Sequence, residues 1–283
     1  PEHHDTTVTP HISTTPHPHS DTTHAQTPNS THVHEGTTLK PVETTTHKVE
    51  TSTSRYHSNF RNPTCNFTAC VEPKCQCLDD KPPKGLFAEN IPQFVTITFD
   101  GAVTVTNFPF YKDLFTLTNP NKCPVTATYF VSHVDTNYKL VHELHRRGNE
   151  IGAHSISKSK NNWQDYWKTL SYEKWVDEFG GQKKILSKYA AIPLEDVKGA
   201  RAPNLQTAGN LTIAALVHEK FEYDCSSPSR MGIKTPFFPY TFDYGGQRGN
   251  DCPVQPCLTD EQVFPGFWEV PMNDLNVVYT VKG

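Results

Sequence analysis

The sequence predicts an α/β domain around a parallel sheet, either a barrel or a doubly wound sheet. Short runs rich in β-branched and aromatic residues alternate with segments of helical periodicity from about residue 94 onward. Polar residues suited to catalysis follow three of these runs, and in parallel α/β folds the carboxyl ends of strands are where sites form. These two observations favour an enzyme-type fold.

The individual elements follow from local patterns. Leu140, Val141 and Leu144 repeat with the helical period, and that pattern stops at Gly148. Ser171 is followed by acidic residues and then by lysines, as in a helix whose charges complement its dipole. We predict strands at residues 94–99, 125–131, 150–155, 198–203 and 221–225, and helices at 138–147, from 171 onward and at 207–219.

The chain of 283 residues divides into three parts by composition. Residues 1–60 are rich in Thr, His, Ser and Pro, and ten of the fifteen histidines lie before residue 58. Such a segment has too few large apolar residues to form a core, so we predict a disordered, mucin-like linker. Residues 61–90 form a cysteine-rich lead-in, and residues 91–283 are long enough for one domain with a sizeable core.

Charge and hydropathy exclude two kinds of partner. The net charge is −4 with no basic stripe, which argues against nucleic acid. No run approaches the roughly 18 apolar residues of a membrane span.

All eight cysteines lie between residues 65 and 257. An even number beside a mucin-like segment favours disulfide bonds and secretion, although the sequence leaves the pairing open. Glycosylation sequons at Asn29, Asn66 and Asn210 agree with secretion. The alternative is a zinc knuckle formed by the clustered Cys65, Cys70, Cys75 and Cys77.

Three polar residues at strand ends are candidates for a site: Asp100, His154 and Arg201. Each has an ordinary structural explanation, as a turn cap, a core histidine or an ion-pair partner. Together an acid, an imidazole and a guanidinium suit hydrolysis. His133, His142 and His145 are expected to have solvated or structural roles.

A longer set of motifs resembles one enzyme family. These include TFDG at 98–101, HSISK at 154–158, GARAPN at 199–204 and PGFWEVPMNDL at 265–275. In order and spacing they resemble carbohydrate esterase family 4, the polysaccharide deacetylases, and within it the arthropod chitin deacetylases. The resemblance implies a distorted (β/α) barrel, removal of acetyl groups from N-acetylglucosamine units, and a divalent metal, usually zinc.

Carried over position by position, the resemblance implies that Asp100 is the catalytic base, that Arg201 orients it, and that His154 is a metal ligand. Gly101 stands where the family has a metal-binding Asp, and Lys158 where it has the second metal-binding His. Two of three ligands are therefore absent, so no cofactor is expected, and zinc only if the site functions. We predict that Lys158 takes the place of the ion and pairs with Asp100. The predicted substrate-binding residues are Pro203, Asn204 and Tyr240.

No histidine follows His218, and the chain stops before the family's late motif, which supplies the catalytic acid. We therefore expect a C-terminally incomplete domain that binds chitin or related N-acetylglucosamine polymers with lost or very weak deacetylase activity. Its expected location is extracellular, in a cuticle or peritrophic-type matrix, with extracellular matrix proteins as further partners. The alternatives are an active metal-dependent chitin deacetylase, with a substitute ligand such as Asp165, and a purely structural matrix protein.

Several aromatic residues are available to stack on sugar rings, although most of them are expected in the core. They are Trp163, Trp167, Trp175, Phe237, Phe238, Tyr240 and Trp268.

Overall fold

Seven strands of the described residues form one sheet. The computed structural model describes residues 64–79, 82, 86–91, 94–158, 163–229, 237–248 and 252–273, so the predicted linker lies outside the described residues. The strands are β1 (Thr98–Gly101), β2 (Thr128–Val131), β3 (Glu150–Ala153), β4 (Gly199–Ala200), β5 (Tyr223–Asp224), β6 (Tyr240–Phe242) and β7 (Phe264–Glu269).

The sheet is parallel except at one edge. Its order is β1-β2-β3-β4-β5-β7-β6, and only the β6–β7 pair is antiparallel among the described strands. In a flat sheet β1 and β4 would lie about 14 Å apart, farther than an arginine side chain reaches. Arg201, which follows β4, nevertheless donates to Thr98 in β1, so the sheet curves round on itself. The prediction of a distorted (β/α) barrel is confirmed.

Five α-helices of the described residues surround this sheet: α1 (Phe108–Leu114), α2 (Tyr138–Arg146), α3 (Trp163–Thr169), α4 (Tyr172–Ala190) and α5 (Asn210–His218). The side chains of Asn137 and Ser171 cap α2 and α4 by accepting backbone N–H bonds. Helix α4 packs against α2 and α5 and lies over β3. In the described residues, no helix has both the length and the apolar character that a membrane span requires.

Strand β2 shows how the two layers of the core are built. Tyr129 points to the helix layer, where its ring stacks on Phe99 and meets Tyr111 of α1 edge-on. Phe130 points into the barrel, below the guanidinium of Arg201. On this inner face Gly152 of β3 leaves the space that the Phe130 ring occupies, since a Cβ there would lie 2.6 Å from Phe130 Cδ1. Both faces of β2 are therefore buried, as parallel strands require.

The strand prediction at 94–99 starts too early. Phe94 and Val95 are 82% and 78% exposed, and pairing begins at Thr98, where β2 offers Thr128 as a partner. An apolar run shows β propensity, but the neighbouring strand decides where pairing starts. The sequence analysis also missed α1, α3, β6 and β7.

Candidate functional site

Three predicted site residues meet at the carboxyl ends of strands β1, β3 and β4. Asp100 is the penultimate residue of β1, His154 directly follows β3, and Arg201 directly follows β4. The curvature of the sheet closes the distance between them. The Arg201 Nη1 atom lies 2.9 Å from Asp100 Oδ1, and the His154 Nδ1 atom lies 2.8 Å from the Arg201 carbonyl oxygen.

Arg201 is held so that it fixes one oxygen of Asp100. Its Nη1 also donates to Thr98 Oγ1 at 2.8 Å, its Nε donates to the Cys225 carbonyl at 2.9 Å, and its Nη2 donates to Cys225 Sγ at 2.8 Å. The guanidinium lies 4.3 Å from the centre of the Phe130 ring. The Arg201 side chain is 3% exposed, whereas that of Asp100 is 38% exposed. The buried Arg201 thus orients the Asp100 carboxylate from the barrel interior, while the solvent side of the carboxylate is open to a ligand.

Cys225 is a part of this site that the sequence analysis missed. Burial raises the pKa of its thiol to about 12, so the sulfur stays protonated at neutral pH and serves as a weak acceptor for Arg201. No motif marks this residue, because its role depends on β5 lying beside β4.

His154 presents one ring nitrogen to the site. Its Nδ1–H donates to the Arg201 carbonyl, which leaves Nε2 as the acceptor of the neutral ring. Burial lowers the pKa of His154, and the Asp100 charge acts in the opposite direction. A buried imidazole with this orientation suits either metal ligation or hydrogen bonding.

The Lys158 ammonium lies beside Gly101. A Cβ built on Gly101 would lie 2.7 Å from Lys158 Nζ and 3.8 Å from its Cε. Gly101 has φ +110°, a backbone conformation that other residues rarely adopt. The amine therefore occupies the space into which a longer side chain at residue 101 would extend.

The prediction that Lys158 pairs with Asp100 is wrong. Among the described residues the ion-pair partner of Asp100 is Arg201, and no described carboxylate lies within salt-bridge distance of Lys158 Nζ. Arg201 contacts the Asp100 oxygen from the barrel interior. Lys158 lies on the solvent-exposed side of the site, which we call its mouth.

The loop that carries Lys158 is anchored by Glu178, which the sequence analysis counted among the acidic residues early in a helix. Glu178 is 8% exposed, and its Oε2 accepts the backbone N–H groups of Ile156 at 2.9 Å and Ser157 at 2.8 Å. Tyr166 donates to its other oxygen at 3.2 Å. A glutamate within a helix is ordinarily solvated, so only tertiary packing identifies this role.

The predicted substrate-binding residues have different environments. Asn204 is exposed near the site with φ +54°, while Pro203 is buried. Tyr240 is 1% exposed, since β6 places its ring inside the barrel wall beside Phe242. Tyr240 nevertheless lines a cavity together with Asp224 and Glu269, and its contact with a sugar stays a prediction.

Most of the other aromatic candidates are core residues, as expected. Trp167 and Trp175 are fully buried and pack on each other, with ring centres 5.3 Å apart. Trp268 is partly exposed, on the outer side of β7. The side chain of Trp163 lies outside the described residues.

The clustered cysteines are joined in disulfide bonds. The pairs are Cys65–Cys77, Cys70–Cys75 and Cys252–Cys257, while Cys123 and Cys225 are free. The structure supports disulfide bonds over a zinc knuckle, since all four clustered cysteines are paired, although the sulfur atoms of Cys65, Cys70 and Cys77 lie within 4.8 Å of one another, a spacing that a metal site would also need. Two further histidines have structural partners: His142 Nδ1 lies 2.7 Å from the Ala190 carbonyl, and His145 lies 3.3 Å from Asp196.

Two buried carboxyl groups, Asp224 and Glu269, are the other feature that the sequence analysis missed. They are 2% and 1% exposed and face each other across β5 and β7. Ser226 Oγ donates to Asp224 at 2.6 Å, and the Ser227 N–H donates to Glu269 at 3.1 Å. Burial raises the pKa of both acids, to about 6 for Asp224.

Comparison with known proteins decides the family. The family model described as polysaccharide deacetylase matches residues 88–219. Chitin deacetylase 8 of Bombyx mori is 39% identical over 216 residues, and chitin deacetylase 1 of the same organism is 36% identical over 220 residues. The chain belongs to the polysaccharide deacetylase family.

This polysaccharide deacetylase-like chain spans about half the length of the curated relatives. The alignments cover 75% and 76% of the chain, but 55% and 40% of the relatives. Among solved structures, a family 4 carbohydrate esterase from Streptomyces lividans in complex with acetate is 15% identical, with a TM-score of 0.38. That alignment covers 47% of this chain and 61% of the esterase. The family assignment therefore depends on the sequence matches.

Polysaccharide deacetylases are generally metal-dependent, and a resident zinc ion requires at least three protein ligands around one point. Among the described residues, no three His, Cys, Asp or Glu side chains that include His154 have ligand atoms within 4.8 Å of one another. Gly101 offers no ligand, and the ammonium of Lys158 repels a cation. One imidazole and water bind zinc too weakly for a resident site. The residues present do not fit the metal.

Proposed function

We propose that this is a secreted chitin deacetylase-like protein that binds chitin or related N-acetylglucosamine polymers and has lost, or nearly lost, deacetylase activity. The observation that carries the proposal is the Lys158 amine beside Gly101, in the space that a metal-binding side chain would need. The proposed setting is an extracellular cuticle or peritrophic-type matrix, where matrix proteins are further partners.

The arrangement of the other site residues supports binding. Arg201 orients the Asp100 carboxylate, and the Arg201 carbonyl orients the His154 ring. Chitin is the polymer named for both curated relatives. A site that keeps its shape while losing its ligands is suited to holding a glycan without cleaving its acetyl groups.

The second candidate is an active metal-dependent chitin deacetylase. The exposure of Asp100, the proposed base, and the orientation of the His154 ring through its Nδ1 favour it. It needs a substitute ligand, for which the sequence analysis named Asp165. Asp165 lies exposed on α3 and belongs to no three-residue ligand group in the described part of the chain.

Zinc titration by calorimetry separates these candidates. The histidine-rich residues 1–60 offer weak zinc sites, so the informative quantity is the difference between the wild type and His154→Ala. We expect no difference. Micromolar or tighter zinc binding that disappears in His154→Ala would favour the active deacetylase.

Sedimentation with chitin beads tests the glycan-binding part of the proposal. We expect the 283-residue chain to bind, and a variant lacking residues 1–60 to bind equally well. Binding by residues 1–60 alone, with none by the shortened variant, would show that the barrel is not the sugar binder. Absence of binding by any form would favour a purely structural matrix protein.

Rebuilding the ligand set tests the placement of the site residues. Lys158→His removes the amine, and Gly101→Asp adds a carboxylate at a backbone conformation unfavourable for any side chain. The matched control is Gly101→Ala with Lys158→His, which has the same backbone cost and lacks the carboxylate. We expect the Asp-containing double variant to bind zinc at least tenfold more tightly than the control. Equal affinities would mean that residues 101, 154 and 158 do not surround one point.

A further inference from the structure

The mouth of the site holds a positively charged group at a fixed position. Lys158 Nζ lies over Gly101, and no carboxylate of the described residues forms a salt bridge with it. The side chain is exposed, so the ammonium is open to a ligand.

The lysine is positioned by the backbone of its loop. The Lys158 N–H donates to Ser155 Oγ at 3.2 Å, which closes a turn in which Ser155 and Lys158 both have positive φ. Glu178 accepts the two intervening backbone N–H groups and is itself buried against the barrel. This anchoring fixes the start of the side chain, so less conformational entropy is lost when the amine binds a ligand.

The site therefore presents complementary groups, a carboxylate at Asp100 and an ammonium beside the following residue, Gly101. Asp100 offers a carboxylate oxygen that accepts hydrogen bonds, and Lys158 offers an ammonium that donates them. A secondary amide has both counterparts: its N–H donates to a carboxylate, and its carbonyl accepts from an ammonium. An O-acetyl ester has no N–H for Asp100, and a free amine has no carbonyl to accept from Lys158.

We propose that the Lys158 ammonium replaces a metal ion as the carbonyl-binding group, so that the site recognises the acetamido group of N-acetylglucosamine without any metal. This inference rests on the proposed glycan-binding function and specifies its chemistry. The ammonium donates a hydrogen bond to the carbonyl oxygen, while Asp100, oriented by Arg201, accepts from the amide N–H. Hydrolysis needs an activated water, which this arrangement does not supply, so the bound acetyl group is retained.

Calorimetry of the 283-residue protein with chitotetraose in the presence of EDTA tests the inference. The comparison ligands are the glucosamine tetramer and an O-acetylated xylotetraose. The variants are Lys158→Met, which keeps the aliphatic stem and removes the charge, and Lys158→Arg, which keeps the charge. The matched control is Lys139→Met, at an exposed lysine on α2.

We expect the wild type to bind chitotetraose with the same affinity with and without EDTA, and both comparison ligands at least tenfold more weakly. Loss of one charge-assisted hydrogen bond predicts about 10- to 100-fold weaker binding for Lys158→Met. Lys158→Arg should recover part of this loss, and Lys139→Met should bind as the wild type does. Because Lys158 is exposed, these variants are expected to fold, which circular dichroism checks.

The outcomes separate this inference from the proposed function. If Lys158→Met binds as the wild type does, the inference is wrong and glycan binding stands. If EDTA abolishes wild-type binding, a metal takes part in holding the ligand. Both proposals are then wrong, and the active deacetylase is favoured. If the wild type binds no chitotetraose, both proposals are wrong.

Discussion

The buried carboxyl pair Asp224 and Glu269 predicts how the stability of the barrel depends on pH. Burial raises the pKa of Glu269 well above its usual range, and the charge of Asp224 raises it further. The two side chains share a hydrogen bond, and Tyr240 and Arg248 lie around them. The folded protein therefore keeps a proton on Glu269 that the unfolded chain releases near pH 4.5.

The sign and size of the effect follow from proton linkage. A group that holds its proton more tightly in the folded state stabilises the fold at low pH, and this contribution is lost as the pH rises. Above about pH 6 Asp224 has ionised, and one extra proton remains on Glu269. The free energy of unfolding then falls by about 1.4 kcal/mol per pH unit. Glu269→Gln removes this proton, and its amide still donates to Asp224, so its stability relative to the wild type should rise with pH by about 1.4 kcal/mol for each unit over which Glu269 keeps that proton.

Urea unfolding followed by tryptophan fluorescence at pH 6, 7 and 8 measures this gain. The slope with pH is the informative quantity, because any fixed cost of the substitution cancels in it. The control is Glu222→Gln, which removes an exposed carboxylate that pairs with Lys198 at 3.3 Å and should leave the slope unchanged. Parallel pH profiles for Glu269→Gln and the wild type would refute the shared-proton explanation.

Three further predictions follow from the packing. Trp175→Ala removes a fully buried ring and should lower the free energy of unfolding by about 3–5 kcal/mol in urea titrations. Glu178→Ala leaves two backbone N–H groups without their acceptor and should cost about 1–3 kcal/mol, with faster trypsin cleavage after Lys158. In a secreting eukaryotic cell we expect a glycan on the exposed Asn66 and none on Asn210, whose amide nitrogen donates to Thr259 at 2.8 Å, so Asn66→Gln should lower the mass and Asn210→Gln should not.

Controls accompany these measurements. Tyr189→Ala, at a residue 59% exposed, should cost less than about 1 kcal/mol, and an equal loss in Trp175→Ala would contradict the core assignment. Glu173→Ala on the same helix should leave cleavage after Lys158 unchanged. If Glu178→Ala also left it unchanged, Glu178 would not anchor the loop. A mass loss in Asn210→Gln would mean that Asn210 receives its glycan before the hydrogen bond to Thr259 forms.

Much of the fold was predictable because its elements have strong local signals. The helix at Tyr138–Arg146 has an apolar stripe, an Asn137 cap and a terminal Gly148, and the helix after Ser171 has its cap and charges in place. Strand limits were less predictable, as the exposed Phe94 shows, because a strand begins where a partner is available.

The residue types of the candidate site were readable from the sequence: an acid, an imidazole and an arginine at the ends of three predicted strands, with Gly101 and Lys158 in place of two metal ligands. These follow from the order of the chain and from strand ends, which are local properties. Which groups touch depends on the tertiary structure. It paired Asp100 with Arg201 instead of Lys158, and it enclosed Tyr240 in the barrel wall. The reason is that the curvature of the sheet brings strands far apart in sequence within hydrogen-bonding distance, and no local pattern records that curvature.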